Sequence, residues 1–239
     1  MAWKTALFSA ALVALAGAQG AKASTVTFGA VDSGWYNSAG GNAKGLVGPT
    51  DINYFAGQFP SGSGMAYNNY FVFNISGVVG NILSATLTLD DSGAGAMTGG
   101  PLTYSVGSVS DAAASVSSST ASVTIYNDLA GGTLYGSEVG INAAGDVVIT
   151  LDAAALTALA SAGTGFVIGG TVSSPSPDGN DHYLFTNPNT SGDEGPIEQL
   201  SITTDATTPE PGSLGMLGCG LVALGFFARR LTAPCGHGS

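Results

Sequence analysis

The chain has 239 residues, of which 44% are hydrophobic and only 9% are charged, and it contains 37 glycines. This composition disfavours a helical bundle, whose exposed faces are rich in Lys and Glu, and favours a β-protein with hydroxyl-lined faces and many turns. Of the 16 acidic residues, only Glu210 lies outside residues 24–205, and Lys44 is the only basic residue within that region. The region therefore has a net charge of about −14. This charge excludes nucleic acid and anionic lipid as partners, because both are bound by basic surfaces.

Residues 1–23 contain the three parts of a secretory signal peptide in the expected order. Lys4 supplies a positive charge, residues 6–18 form an apolar run, and Ala21-Lys22-Ala23 matches the small-x-small rule for cleavage. We therefore predict a signal peptide rather than a buried N-terminal helix. The mature chain would begin at Ser24, outside the cytoplasm.

Short strand signals recur between residues 24 and 204. The clearest is Ile82–Leu89, where Leu83, Ala85, Leu87 and Leu89 alternate with Ser84, Thr86 and Thr88. The predicted strands are 24–28, 69–75, 82–89, 102–109, 121–126, 146–151, 165–168, 182–185 and 197–202. One helix is predicted over residues 153–162, with Asp152 as N-cap and Gly163 just after its end. About nine short strands predict an all-β, jelly-roll-like sandwich, the ectodomain of residues 24–204.

Aromatic residues of this region are candidates for stacking on sugar rings. Trp35 and Tyr36 are the first candidates, because they lie in a Gly-, Ser- and Asn-rich stretch that we interpret as a loop. Tyr54-Phe55 and residues 67–71 add further aromatics. The alternative for all of them is a place in the core of the sandwich.

No residue pattern predicts catalysis or a cofactor other than calcium. His182 is the only histidine of the ectodomain, both cysteines (Cys219 and Cys235) lie beyond it, and no G-x-S-x-G motif or carboxylate pair stands out. Asp178, Asn180 and Asp181 form a Gly-assisted acidic turn, the best candidate for a calcium site, with an ordinary β-turn as the alternative. Asp90-Asp91 is interpreted as a second acidic turn.

The C-terminal region predicts a membrane segment. Residues 205–211 form a linker containing Pro209, Glu210 and Pro211, and residues 212–228 carry no charge. Seventeen helical residues span roughly 25 Å, close to the thickness of about 30 Å of a hydrocarbon core. Arg229 and Arg230 begin a basic tail, residues 229–239, which the positive-inside rule places in the cytoplasm.

The order Pro209-Glu210-Pro211, apolar helix and Arg pair resembles the PEP-CTERM sorting signal. This resemblance implies that a membrane-integral exosortase processes the chain near the Pro-Glu-Pro motif, and that the product stays at the cell surface or is released. It also implies a Gram-negative bacterium that makes exopolysaccharide. The nine residues after Arg230 exceed the family's usual ending. The alternative is an uncut helix that anchors the chain permanently.

A second resemblance covers Tyr70–Leu89, which is similar to a strand-turn-strand segment of DNRLRE-type extracellular β-sandwiches, some of which bind polysaccharide. We expect a non-enzymatic surface or matrix protein with a structural or adhesive role. The first alternative is an exopolysaccharide-binding module, favoured if Trp35 and neighbouring tyrosines share one exposed face. The second is a secreted glycoside-active enzyme, favoured if two carboxylates converge in a groove.

Overall fold

Eleven strands and three helices make up the part of the chain that the structure describes. This computed structural model describes residues 23–44, 54–91, 101–118, 120–143, 145–172, 180–185 and 198–205. The strands are β1 (Ser24–Asn37), β2 (Asn42–Lys44), β3 (Ala56–Phe59), β4 (Met65–Asn74), β5 (Ile82–Asp90), β6 (Leu102–Ser108), β7 (Leu134–Ile141), β8 (Asp146–Thr150), β9 (Gly165–Val172), β10 (His182–Leu184) and β11 (Glu198–Thr204). The helices are α1 (Ala113–Val116), α2 (Val123–Gly131) and α3 (Ala153–Ser161).

The long strand β1 belongs to both sheets of the sandwich. Its first half pairs with β11 from Ser24 to Gly29, and its second half pairs with β4 from Ala30 to Asn37. The register shifts between Ala30 and Asp32, which marks a β-bulge at the crossing point. Because a bulge bends the strand that carries it, β1 can leave one sheet and enter the other.

All pairs in the two sheets are antiparallel. The first sheet has the order β1-β11-β5-β8, and the second has the order β7-β6-β9-β4-β1. At the margin of the second sheet, β2 pairs with β1, β3 pairs with β4, and β10 pairs with β3. Ser24–Asp205 together form one compact unit.

The main core receives the alternate residues of both sheets. In β5 these residues are Ala85, Leu87 and Leu89, and across the core Phe71 and Phe73 of β4 are completely buried. A smaller second core lies against the helices, where Tyr36, Tyr70 and Val72 pack with Val116, Ile125 and Leu129. Because both faces of β4 are covered, its residues are buried without interruption from Tyr67 to Phe73.

The predicted all-β sandwich is confirmed, and so are strand β5 and the capped helix α3. Asp152 caps α3, since its Oδ1 accepts a hydrogen bond of 3.0 Å from the backbone N–H of Ala155. Gly163 follows the helix with φ +64°, a conformation that glycine adopts without steric cost. Of β5, only Leu83 departs from the predicted buried face, because it is 54% exposed.

The predicted strand over residues 121–126 is wrong. Val123–Gly131 forms helix α2, whose N-cap Ser122 accepts a hydrogen bond of 3.1 Å from the N–H of Ile125. The β-branched residues Val123, Thr124 and Ile125 favour a strand locally. The cap and the burial of Ile125 and Leu129, four residues apart, favour the helix and prevail.

Other differences concern elements that lack a clear periodic pattern. The count of about nine strands and one helix was too low for the described residues, because β2, β3, β7 and α1 were not predicted. Trp35 lies in β1 and not in a loop. No helix within the described ranges is long and apolar enough to cross a membrane, and the predicted transmembrane segment 212–228 lies outside them.

Candidate functional site

Five aromatic rings meet at the margin of the second sheet, and we name them the aromatic patch: Trp35, Phe55, Phe59, Tyr67 and Tyr183. Ring centroids are 5.0 Å apart for Trp35 and Tyr67, and 4.6 Å apart for Tyr67 and Phe55. Tyr183 continues the chain of contacts, at 4.7 Å from Phe55 and 5.3 Å from Phe59. Most of these contacts are edge-to-face, an arrangement favoured by the ring quadrupoles.

The aromatic patch is separate from both cores. Phe55 and Tyr67 are buried, at 8% and 9% exposure, yet neither belongs to the main or the second core. Phe55 directly precedes β3 and Phe59 ends it, whereas Ala56, which points to the opposite side of the strand, belongs to the main core. The patch therefore lies on the side of β3 away from that core. Trp35, Phe59 and Tyr183 are each half-buried and form its accessible part.

The turn between β3 and β4 is fixed against the aromatic patch. Asp181 holds Ser61 with both carboxylate oxygens: Oδ1 accepts from the Ser61 backbone N–H at 2.9 Å, and Oδ2 accepts from the Ser61 hydroxyl. On the other side of the turn, the hydroxyl of Tyr67 donates to Ser63 Oγ at 2.8 Å. Gly62 lies against the ring of Phe59, since a Cβ there would stand 2.1 Å from Phe59 Cε1.

The one lysine of residues 24–205 lies on the other face of β1 from Trp35 and is paired with a carboxylate. Lys44 forms an ion pair with Asp32, with 3.3 Å between Nζ and Oδ2. Lys44 lies opposite Gly34 in the pairing of β2 with β1, so it shares the face of Gly34 and Tyr36 and not that of Trp35. The only cation of residues 24–205 is thus already engaged by a carboxylate.

Aromatic rings beside hydroxyl and carboxylate groups are a combination that can bind carbohydrate. The C–H face of a sugar packs on an aromatic ring, and hydroxyl and carboxylate groups beside the ring form hydrogen bonds with the sugar hydroxyls. The half-buried rings of the patch adjoin Ser61, Ser63 and Asp181, which supply those groups. Because the turn is held by several hydrogen bonds, little ordering would accompany binding.

Of the two predicted sugar contacts, only Trp35 lies in the patch. Tyr36 faces the opposite side of β1, is 1% exposed, and packs in the second core with its ring centroid 6.0 Å from Tyr70. Its hydroxyl donates to the carbonyl oxygen of Val116 at 2.8 Å. Alternation along the strand sends neighbouring residues to opposite faces, so Tyr36 has no exposed face to offer a ligand.

The predicted calcium turn is only partly described. Asp178 lies outside the described residues, Asn180 is exposed, and Asp181 holds the Ser61 turn. The described part of the chain contains no group of three or more His, Cys, Asp or Glu side chains that could hold a metal ion. Calcium binding at Asp178, Asn180 and Asp181 stays a prediction.

The targeting residues lie almost entirely beyond the described ranges. Ala21, Pro209, Glu210, Pro211, Arg229 and Arg230 are outside them. Ala23 is described and exposed, and Ser24 is the first residue of β1. Cleavage after Ala23 would therefore leave that strand complete.

Two carboxyl groups are buried, although the sequence predicts burial for neither of them. Asp91 is fully buried, and Glu198 is 3% exposed and accepts a hydrogen bond of 3.0 Å from the hydroxyl of Ser33. Burial raises the pKa of Asp91 to about 6 and raises the pKa of Glu198. Asp91 is thus not the solvated acidic turn that we expected. Asp91 and Glu198 are not accessible to a substrate in this structure, and the same holds for His182, which is 2% exposed.

Comparison of the chain with models of known protein families and with curated proteins finds no match. The resemblances to the PEP-CTERM signal and to DNRLRE-type sandwiches therefore rest on the sequence motifs alone, and they stay predictions.

Proposed function

We propose that residues 24–205 are the ectodomain of an exported protein that binds uncharged polysaccharide at the cell surface through the aromatic patch. The observation that carries this proposal is the convergence of Trp35, Tyr67 and Tyr183 with two phenylalanines outside both cores. Trp35 and Tyr183 are both half-buried, whereas Tyr67 is buried beneath them. An accessible Trp and Tyr in one patch favour an exopolysaccharide-binding module over a purely structural role.

Charge supports an uncharged or basic ligand. The region carries about −14, and its one lysine is paired with Asp32. A polysaccharide rich in carboxylate or sulfate groups would meet repulsion and no free cation beside the patch. A neutral glycan needs only ring faces and hydrogen-bonding groups, which the patch supplies.

The targeting motifs support the cellular setting of this proposal. The signal peptide delivers the chain across the inner membrane, and the tail holds the precursor there with Arg229 and Arg230 in the cytoplasm. An exosortase then cuts near Pro209-Glu210-Pro211, where two prolines keep the backbone extended. Polysaccharide binding by the ectodomain gives the protein an adhesive role in the envelope or biofilm.

The test is a calorimetric titration of the full-length protein with soluble hexasaccharides of glucose, mannose and N-acetylglucosamine. We expect one of them to bind, and Trp35→Ala to weaken that binding about tenfold, because loss of an aromatic anchor commonly costs more than about 1 kcal/mol. Trp35→Phe, which retains a ring against Tyr67, should lie between the two.

The matched control is Tyr126→Ala, since Tyr126 is a half-buried aromatic on α2, outside the patch. Circular dichroism checks that each variant is folded. Absence of binding by the wild-type protein to all three sugars, or equal binding by the folded Trp35→Ala variant, contradicts the proposal.

A further inference from the structure

The outer face of the first sheet carries hydroxyl side chains in two rows, which we name the hydroxyl array. Register places Thr27 opposite Ser201, Ser201 opposite Thr86, and Thr86 opposite Thr150. The second row is formed in the same way by Thr25, Thr203 and Ser84. Seven hydroxyl groups from β1, β11, β5 and β8 thus share one face, and the next row on that face contains Gln199, Thr88 and the exposed Val148.

The alternation of β5, β11 and β8 sends the array residues to the face opposite the main core. Between the array positions lie Ala85 and Leu87 of β5, Ile202 of β11 and Ile149 of β8, all of them buried in the main core. The array residues themselves are exposed or half-buried. The face is therefore polar because the opposite face of the same strands makes the core.

Two cross-strand pairs hold their hydroxyls in place. The Oγ1 atoms of Thr25 and Thr203 are 2.8 Å apart, and Thr27 Oγ1 is 2.9 Å from Ser201 Oγ. A hydroxyl that shares one hydrogen bond still has a free lone pair or proton for a ligand. Threonine is also restricted at χ1, so ordering these groups on binding costs little entropy.

The array is a grid in two directions. Neighbouring strands are about 4.8 Å apart, and successive residues on one face of a strand are separated by about 6.8 Å. A single hydroxyl exchanging water for a ligand contributes only about 1 kcal/mol, so isolated contacts would not give affinity. A partner must therefore engage several rows and columns at once, which requires a surface that is itself regular.

Charge determines what kind of regular surface fits. The two rows contain no charged side chain, while carboxylates lie beyond both ends: Asp90 opposite Asp146 at one end, and Asp205 after β11 at the other. Hydrogen bonds from Asn81 hold the pKa of Asp205 below its usual value, so this group stays ionised. An anionic polymer lying along the strands would meet these charges at either end.

We infer that the hydroxyl array is a docking face for the ordered surface of an uncharged polysaccharide fibre, in which hydroxyl groups repeat along and between parallel chains. The inference shares its ligand class with the proposed function, but it uses a different surface and none of the residues of the aromatic patch. The patch would take single sugar chains, and the array would take the fibre surface.

The test uses co-sedimentation of the full-length protein with two insoluble neutral fibres, microcrystalline cellulose and chitin. We expect retention on at least one fibre, and about a tenfold loss of affinity in the double variant Thr27→Val/Thr86→Val. Valine keeps the β-branched shape and strand preference of threonine and removes only the hydroxyl. The matched control is Thr133→Val/Thr171→Val, which removes two hydroxyls outside the array.

A second array variant, Thr150→Glu, places a charge on strand β8 at the margin of the sheet and should also weaken fibre binding. It provides the test if the double variant does not fold. The soluble hexasaccharide that binds the patch should bind both array variants as it binds the wild type, which separates failure of this inference from failure of the proposed function. Unchanged fibre binding in folded array variants overturns the inference. Loss of fibre binding only in Trp35→Ala also overturns it, and so does a wild-type protein that binds neither fibre.

Discussion

The carboxylate of Asp91 accepts a hydrogen bond of 2.6 Å from the backbone N–H of Phe185, joining segments 94 residues apart in the chain. Both residues are fully buried, and Phe185 has φ +64°, which is uncommon for a residue other than glycine. Asp91 Oδ2 has no hydrogen-bond partner in the described part of the chain. The contact fixes the end of β10 to the end of β5, and it does so with a carboxyl group whose ionised form is poorly solvated.

This contact predicts that the protein is more stable in mild acid than at neutral pH. Burial raises the pKa of Asp91 from 3.8 to about 6, so the folded protein binds more protons than the unfolded chain between those values. The free energy of unfolding should therefore fall by about 3 kcal/mol as the pH rises through this window. The raised pKa of Glu198 acts in the same direction. Urea denaturation at intervals from pH 4 to pH 7.5 measures the effect.

Asp91→Asn isolates the contribution of this one group. An amide oxygen still accepts the N–H of Phe185, while the titrating charge is removed, so the loss of stability above pH 4 should become much smaller. Asp205→Asn is the control, because the pKa of Asp205 is lowered and its contribution is lost only as the pH falls. Identical pH profiles for the wild type and Asp91→Asn would show that Asp91 does not titrate in this range.

A second prediction concerns the buried Asn69, whose side chain joins two tyrosines. Its Nδ2 donates to the carbonyl oxygen of Tyr54 at 2.7 Å, and its Oδ1 accepts from the hydroxyl of Tyr104 at 2.7 Å. Asn69→Ala should lower the free energy of unfolding by about 2–5 kcal/mol, because two buried polar groups lose their partner. Asn74→Ala, at an exposed position, should cost about 1 kcal/mol or less. Urea denaturation of the two variants compares them, and similar losses would refute a special role for Asn69.

A third prediction concerns the support of the aromatic patch by Gly62. A Cβ at this position would stand 2.1 Å from Phe59 Cε1, so Gly62→Ala must displace the ring. We expect hexasaccharide binding to weaken about fivefold, or ~1 kcal/mol. Gly131→Ala is the matched control, because nothing lies within 4 Å of its Cβ position. Calorimetric titration measures both, and equal affinities would mean that the position of Phe59 does not matter to the ligand.

The strands with strict alternation could be predicted from the sequence, and so could the helix with clear caps. β5 and α3 are the best examples, since Leu87 and Leu89 alternate with threonines and Asp152 and Gly163 flank the helix. Local pattern failed at residues 121–126, where a serine cap and packing outweigh β-branched propensity. It failed again at Trp35. Gly34 precedes this residue and residues 37–42 are rich in glycine and asparagine, which is typical of a loop.

The site was only partly predictable for a related reason. Trp35, Phe55 and Tyr67 are candidates by residue type, but Tyr183 joins them only through the pairing of β3 with β10. That pairing connects residues more than a hundred positions apart, which no local periodicity reports. The burial of Asp91 and Glu198 likewise depends on how distant strand ends meet. The sequence alone therefore shows Asp90 and Asp91 only as two adjacent aspartates, a pattern typical of an ordinary turn.

A fourth prediction tests export and processing. Intact mass spectrometry of the protein from membrane and medium fractions of its native host should give a chain that begins at Ser24 and ends near Pro209–Pro211. Glu210→Ala should block the C-terminal cut and leave the precursor in the membrane fraction, because the extended Pro-Glu-Pro segment is the proposed recognition site. A wild-type mass that retains residues 212–239 would establish permanent anchoring by an uncut helix.

The most direct test of the central claim uses the fluorescence of Trp35. The chain contains two tryptophans, Trp3 and Trp35, so the variant Trp3→Phe leaves Trp35 as the only tryptophan. Because Trp35 is half-buried at the edge of the aromatic patch, a sugar stacked on this surface should change its emission. Titration with the hexasaccharide bound in calorimetry should give a saturable blue shift with the same dissociation constant. Binding by calorimetry with no change in Trp35 emission would place the sugar elsewhere and contradict the assignment of the aromatic patch.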